Sequence, residues 1–331
     1  MFPFQQYPAE TQLVIDFMQM ASAISRHVQD NLLQHSFTKD DRSPVTIGDF
    51  TIQAMLMALL LERFPGDLLV GEESSETLSK EKGQVTLKQM CDLLKPYFPH
   101  VSIPLICSWL DHGKTEQAER FWTLDPIDGT KGFIRGDQYA IALALVEGPE
   151  AKVGALGSPN MDQLNPLTRG KRGTLSMAVL GEGAWSCKLN DMTQFDRLQV
   201  SACTDIRQAV LLRSFETMHT DTGRTAQLIS NLRITAPALH LDSLTKHALL
   251  AAGTGEIMVR FPSSPRSAYQ QKIWDYAPGV LMIQEAGGQV SDLDGKPYDF
   301  STGRTLSKNR GMVASNGLLH AQVLETLKTL R

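Results

Sequence analysis

The sequence predicts a layered fold of mixed helices and strands, α/β or α+β in class. Three observations carry that expectation. Two long stretches near the start have helical periodicity. The middle of the chain holds short apolar runs bounded by turn residues. Strand-like and helix-like stretches then alternate without a strict βα repeat. A soft boundary falls near residues 155–165, dividing the chain into an N-terminal half, 1–160, and a C-terminal half, 161–331.

From about Glu10 to Leu33, the residues Leu13, Phe17, Met20, Ile24 and Val28 recur at steps of three and four, on one helical face. "SPVTIGDFTIQAMLMALLLERFPG" reads as a second helix, with Thr46 as N-cap and Pro65-Gly66 as stop. Thr46 and Asp49 have capping-box spacing, with Asp in place of Glu. "DLLVGEES" reads as a short buried strand running into acids. Segment 76–118 is more polar and holds a helix at about Thr86 to Phe98. Strands are expected at "FWTLD", "YAIALALVEG" and "KVGALGSP". "GTLSMAVLGEGAWSC" has hairpin character, and "QAVLLRSF" reads as a strand. "DSLTKHALLAAGTG" is a helix stopped by Gly253, "IMVRFP" a strand, and "IWDYAPGVLMIQEAGG" a helix closed by Gly287. "QVSDLDGKPYDF" turns at Asp294-Gly295, ahead of a last strand, "GMVAS", and a last helix, "GLLHAQVLETLKTL".

With 331 residues, 42% hydrophobic and 21% charged, the chain is long enough for one large or two medium domains and has an ordinary globular composition. A net charge of −4 argues against broad nucleic-acid binding and leaves room for a small anionic ligand. Cys91, Cys107, Cys187 and Cys203 form no CxxC pair and no zinc-spaced cluster, which suits reduced thiols. "MFPFQQYPAETQL" lacks a basic n-region, and no apolar run approaches a membrane span. The expectation is a cytoplasmic protein with a small-molecule partner, without nucleic acid or membrane.

The stretch "FWTLDPIDGTKGFIRGD" puts Asp125 and Asp128 three residues apart, with Thr130 two residues later. Asp-Pro and Asp-Gly are ordinary turn dipeptides. The same stretch also suits a hard cation, because Mg²⁺ takes oxygen ligands and would offset the repulsion between close carboxylates. Further acids stand where α/β proteins build sites: Asp49 at a helix start, Glu72 and Glu73 after a buried strand, and Asp275 in "IWDYAPG". Singly, each is ordinary, since an acid at a helix start favours the macrodipole.

In the order Asp49, "GEES", "DPIDGT", "WD", "GG", the acids resemble the signature of the lithium-sensitive, Mg²⁺-dependent phosphatases. That superfamily includes inositol monophosphatases, inositol polyphosphate 1-phosphatases, fructose-1,6-bisphosphatases and 3′(2′),5′-bisphosphate nucleotidases. The resemblance runs from about residue 10 to the C-terminus. Haloacid-dehalogenase-type phosphatases also carry an Asp-Gly-Thr, but with a nucleophilic Asp two residues earlier. Here that position is Pro126, so direct attack by water is favoured. The resemblance implies a layered α-β-α-β-α sandwich of the sugar-phosphatase type. It implies two or three Mg²⁺ ions held by Glu72, Asp125, Asp128, Asp275 and the carbonyl of Ile127, and inhibition by Li⁺. Gly129 and Thr130 would face the phosphate. Thr130, hydrogen-bonded to Asp49 and assisted by Glu72, would activate the attacking water.

Within the superfamily, "FETMHTDTGRTAQL" resembles the bisphosphate nucleotidases, whose Glu-x-x-His pattern implies that His219 contacts adenosine. "LHLDSLTKHALLAAGTGEIMVRFP" resembles their second-phosphate segment, which implies that Ser243, Lys246 and Arg260 hold that phosphate, beside Asp275. A bisphosphate needs an anion site away from the metals, which Lys246 and Arg260 suit chemically. Gly48, Gly255-Glu256 and Tyr276 depart from the common pattern, and His240 and His247 read as structural. The substrate implied is adenosine 3′,5′-bisphosphate, with its 5′-phosphosulfate analogue as the alternative nucleotide. The competing readings are an inositol polyphosphate 1-phosphatase and a catalytically silent metal- or nucleotide-binding homologue. The complete acid set and Thr130 argue against the silent one.

Overall fold

Helix α1 (Pro8–Asn31) buries Leu13, Phe17, Ile24 and Val28 of the stripe its periodicity predicts and leaves Met20 half-buried. The computed structural model describes residues 2–330 apart from 33–35, 39–43, 79–80, 113–117, 166–169, 171, 216–220 and 263–269. After α1, β1 (Ser36–Thr38) and β2 (Pro44–Thr46) pair antiparallel. Helix α2 (Ile47–Arg63) starts with the expected capping box. The Thr46 hydroxyl accepts from the Gly48 N–H, and Asp49 accepts from the Thr46 N–H at 2.8 Å.

Strand β3 (Leu68–Gly71) leads through a 3₁₀ turn to α3 (Glu81–Leu94) and α4 (Ile103–His112). Helix α3 starts and ends earlier than expected, and α4, which was not expected, carries Pro104 in its first turn. At the second position of a helix its missing N–H costs nothing, and the Ile106 N–H reaches the Ser102 carbonyl at 3.0 Å.

Strand β4 (Arg120–Asp128) is followed by the short α5 (Thr130–Ile134). Then come β5 (Ala140–Glu147), β6 (Glu150–Ser158), β7 (Thr174–Val179), β8 (Gly183–Lys188) and β9 (Asp191–Arg197). Among the described residues these form a seven-stranded sheet in the order β3-β4-β5-β6-β7-β8-β9, drawing strands from both sides of residue 160. Within this sheet, among the described residues, only β3 and β4 pair parallel.

The C-terminal elements are β10 (Leu212–Arg213), α6 (Thr222–Leu232), β11 (Leu239–His240), α7 (Thr245–Ala251) and β12 (Ile257–Arg260). They continue with α8 (Ala277–Glu285), β13 (Gln289–Ser291), β14 (Met312–Ser315) and α9 (His320–Lys328). The strand expected at "QAVLLRSF" shrinks to two residues, paired parallel to β11. The helix expected from Ile273 starts at Ala277, because Ile273–Asp275 forms a 3₁₀ turn and Pro278 stands in the first helical turn. Strands β12, β14 and β13 form a second, antiparallel sheet.

The layers follow from side-chain alternation. On β5, Ile141, Leu143 and Leu145 join the core under α1 and α2, while Ala140, Ala142 and Ala144 face the core of α7 and α8. The small residues let α8 come close. A Cβ at Gly154 would lie 2.9 Å from the Pro278 carbonyl oxygen. On the small sheet, Met258 and Met312 face α7 and α8, whereas Ile257, Val259 and Val313 pack with Leu228 of α6 and Val323 of α9. The resulting order is helices, large sheet, helices, small sheet, helices. No described helix is long and apolar enough to cross a membrane.

Candidate metal and phosphate site

The site is built around the end of β4. Asp125 pairs with Ala142 and Asp128 with Ala140, so one extra residue bulges from β4 between them. Pro126 cannot donate to a ladder, so a bulge is where it fits. The stretch expected as a turn is thus a bulged strand end. Gly129, at φ 85°, swings the chain into α5. A side chain there would meet the Asp242 carbonyl oxygen at 3.1 Å and the Ser243 Cβ at 3.2 Å, so the 242–243 segment lies directly over the bulge. Thr130 Oγ1 donates to the Ile127 carbonyl at 3.0 Å, and the Leu244 N–H donates to Asp128 Oδ2.

Three other elements bring acids to this point. Asp49 stands on the first turn of α2, 2% exposed, and its Oδ2 also accepts from the Thr46 hydroxyl at 2.8 Å. A Cβ at Gly48 would lie 2.8 Å from Ile127 Cδ1, so this departure from the common pattern is a close approach between α2 and the bulge. Glu72 follows β3. Gln53 on α2 fastens that exit in both directions, accepting from the Glu73 N–H at 2.8 Å and donating to the Glu73 carbonyl at 2.7 Å. Asp275 comes from the 3₁₀ turn before α8.

Burial and mutual repulsion set the electrostatics. Asp125 is held well above the usual carboxylate range, first by burial and then by Glu72, Asp128, Asp275 and Asp49. Asp128 is pushed up to about 7 by burial and Asp275, against the pull of Lys246, the Leu244 N–H and Arg260. Asp275 is raised to about 6 by burial, with Arg260 pulling down and Glu72 pushing up. Asp49, Glu72, Asp125, Asp128 and Asp275 therefore share one electrostatic neighbourhood. Among the described residues, no three His, Cys, Asp or Glu side chains stand ready-made at ligand positions. Asp128 is turned toward the Leu244 N–H, and Asp275 Oδ2 lies 3.5 Å from Arg260 Nη1. Asp125 Oδ1 is buried with no hydrogen-bond partner. A buried, orphaned carboxylate oxygen amid other carboxylates fits a hard divalent cation.

The expected anion-binding residues adjoin the acids. Lys246 is 8% exposed and donates to the carbonyls of Leu241 and Ser243 at 2.7 and 2.8 Å. Burial lowers its pKa to about 8, with Asp128 and Asp242 supporting the charge. Ser243 is buried beside Gly129. Arg260, at the end of β12, lies 5.5 Å from the Tyr276 ring centroid, so the tyrosine that departs from the common pattern stacks under a site cation. His219 lies outside the described residues. His247 is buried on α7, where burial lowers its pKa to about 3. Sequence reasoning missed Gln53, whose signal is a polar residue within an apolar helical run. It also missed Arg135, which pairs with Asp242 at 3.0 Å.

The sequence profile of the Inositol monophosphatase family matches residues 10–331. The chain belongs to that family. It is 36% identical over 338 residues to a 3′(2′),5′-bisphosphate nucleotidase of Emericella nidulans, covering 94% of this chain and 95% of the relative. It is equally identical to one of Schizosaccharomyces pombe, over 96% of this chain and 95% of the relative. A rice protein of the same description is 34% identical over 97% of this chain and 94% of its own length. Among solved structures, the fold is similar to the Thermotoga maritima IMPase, with a TM-score of 0.67, 21% identity and coverage of 97% and 98% of the two chains. Mycobacterium tuberculosis SuhB follows the same fold, with a TM-score of 0.63, 19% identity and 99% coverage of both chains. The layered α/β architecture of this family member is the one its sequence predicts.

Proposed function

We propose that this chain is a Mg²⁺-dependent phosphatase that hydrolyses the 3′-phosphate of adenosine 3′,5′-bisphosphate to AMP and phosphate. The observation that carries the reading is the buried, unpartnered Asp125 oxygen among carboxylates from four elements, with Lys246 and Arg260 alongside. The bisphosphate nucleotidase relatives support the substrate.

Glu72, Asp125, Asp128, Asp275 and the Ile127 carbonyl would hold the cations. Bound there, two or three Mg²⁺ ions would supply charge stabilisation and a nucleophile at neutral pH, and Li⁺ would inhibit. The chain's own residues do the positioning. Gly129 and Thr130 contact the ester phosphate. The Thr130 hydroxyl, now on the Ile127 carbonyl at 3.0 Å, turns to the attacking water, and Asp49 and Glu72 draw its proton. Water attacks phosphorus in line with the 3′-oxygen. Ser243, Lys246 and Arg260 hold the non-reacting 5′-phosphate, and His219 contacts the base or ribose. Arg260 then exchanges Asp275 for the phosphate.

Asp125→Asn tests the reading. It keeps shape and removes one ligand charge, and turnover with saturating Mg²⁺ should fall by at least about a thousandfold, several kcal/mol of transition-state stabilisation. Activity within tenfold of wild type in the folded variant would refute the assignment.

A further inference from the structure

We infer that Arg304 is a positioning residue that holds the Glu72 and Asp275 arms of the site in register. The inference deepens the metal reading above and rests on it. Glu72 leaves the large sheet after β3, and Asp275 leaves a 3₁₀ turn ahead of α8. Two like charges from separate layers repel, so the arrangement needs a tie between the two backbones. Arg304 supplies it. Its Nη2 donates to the Glu72 carbonyl at 3.2 Å. Its guanidinium carbon lies 4.7 Å from the ring centroid of Trp274, the residue before Asp275.

The backbone completes the clasp. The Ile273 N–H donates to the Arg304 carbonyl at 3.2 Å, and the Leu306 N–H to the Gln271 carbonyl at 2.9 Å. Lys272 and Thr305 pair antiparallel between them. Residues 304–306 thus run as a short ladder against the chain entering the Asp275 turn, and the Arg304 side chain reaches across to Glu72. Arginine suits both contacts together, since its planar fork donates in the plane while its face stacks on an aromatic ring. A lysine ammonium offers no plane. The contact on Glu72 is to the main chain, so Arg304 orients a ligand without taking part in the chemistry. Partners of this kind outside the ligand shell typically carry 10- to 100-fold in metal affinity.

The test uses the full chain as wild type, Arg304→Met and Arg304→Lys, with Asp125→Asn as control. Mn²⁺ binding without substrate is read by electron paramagnetic resonance. Mg²⁺ dependence of turnover and melting temperature in EDTA are read beside it. Arg304→Met should weaken Mn²⁺ binding about 10- to 100-fold and raise the half-saturating Mg²⁺ by the same factor. At saturating Mg²⁺, kcat should recover to within about threefold, and Arg304→Lys should fall between. A folded Arg304→Met that binds Mn²⁺ within twofold of wild type overturns the inference, whatever its melting temperature. Should Arg304→Met fail to fold, unchanged Mn²⁺ affinity in Arg304→Lys overturns it equally. A wild type that binds no Mn²⁺, or binds it as well after Asp125→Asn, removes the metal reading and this inference with it.

Discussion

Asp128→Asn should stabilise the cation-free protein while disabling the enzyme. Burial and Asp275 raise the Asp128 pKa from 3.8 to about 7. A folded pKa above the unfolded one means that stability is fully present below the unfolded value and is lost as pH rises through the folded value. The gap is about three pH units. At about 1.4 kcal/mol per unit, ionised Asp128 costs the fold roughly 4 kcal/mol at pH 8. Asp125 shares part of that repulsion, which leaves about 2–4 kcal/mol specific to Asp128. Asn keeps an acceptor for the Leu244 N–H and removes the charge. With an unfolding entropy of about 2.1 cal/mol/K per residue over the chain, the gain is about 3–6 °C. The assay is thermal unfolding of both proteins at pH 8 in EDTA, at pH 5 in EDTA, and at pH 8 with excess Mg²⁺. The variant should melt higher at pH 8 in EDTA, and the gap should at least halve at pH 5, where wild-type Asp128 is protonated. With Mg²⁺ at a hundred times its dissociation constant, the wild type should gain about 2.7 kcal/mol that the variant lacks. A variant that melts lower than wild type at pH 8 in EDTA would refute the electrostatic reasoning.

Arg260→Ala should lower kcat/KM for adenosine 3′,5′-bisphosphate about ten- to a hundredfold, because charge-assisted bonds to an unreactive phosphate are worth roughly 1.5–3 kcal/mol. It should scarcely change the slower hydrolysis of adenosine 3′-monophosphate, and equal losses on the two esters would count against the second-phosphate role. A second outcome concerns His320, 1% exposed, whose Nε2 and Nδ1 lie 2.9 and 3.0 Å from the hydroxyls of Ser291 and Ser315. Burial lowers its pKa from 6.5 to about 4, so the unfolded chain binds the extra proton and the contribution of His320 to stability should fall as pH drops from 6.5 to 4. Relative to wild type, His320→Gln should gain about 3 kcal/mol of stability as pH drops across that window, and a wild-type-to-variant difference that stays constant with pH would contradict the assignment.

The parts of the fold that were legible are those whose cause is local. The stripe of α1, the capping box of α2 and the Gly253 and Gly287 stops depend on residues within a few positions of each other. Strand β9 was missed because Asp191–Arg197 forms a polar edge, mostly exposed, without alternation. Helix α6 lies in the segment that resembles the substrate-contact stretch of the nucleotidases, and its start rests on a single residue, the Asp221 cap, which accepts from the Arg224 N–H. In the site, the acids were visible as a spaced set. The bulge at Pro126, the clamp by Gln53 and the reach of Arg304 to Glu72 were not, since each depends on a partner far along the chain. The Arg260–Asp275 pair was equally hidden, because its members stand on separate elements, β12 and the turn before α8.

We propose that carboxylates from three elements, the β3 exit, the end of β4 and the turn before α8, make a Mg²⁺ site serving a bisphosphate nucleotide. Its most direct test is phosphate release by the wild-type chain from adenosine 3′,5′-bisphosphate and from inositol 1,4-bisphosphate, each with Mg²⁺ and with EDTA. The expected result is turnover of the nucleotide that requires Mg²⁺, with kcat/KM at least tenfold above that for the inositol ester. Release that persists in EDTA would contradict the metal site, and preference for the inositol ester would move the substrate to the inositol polyphosphates.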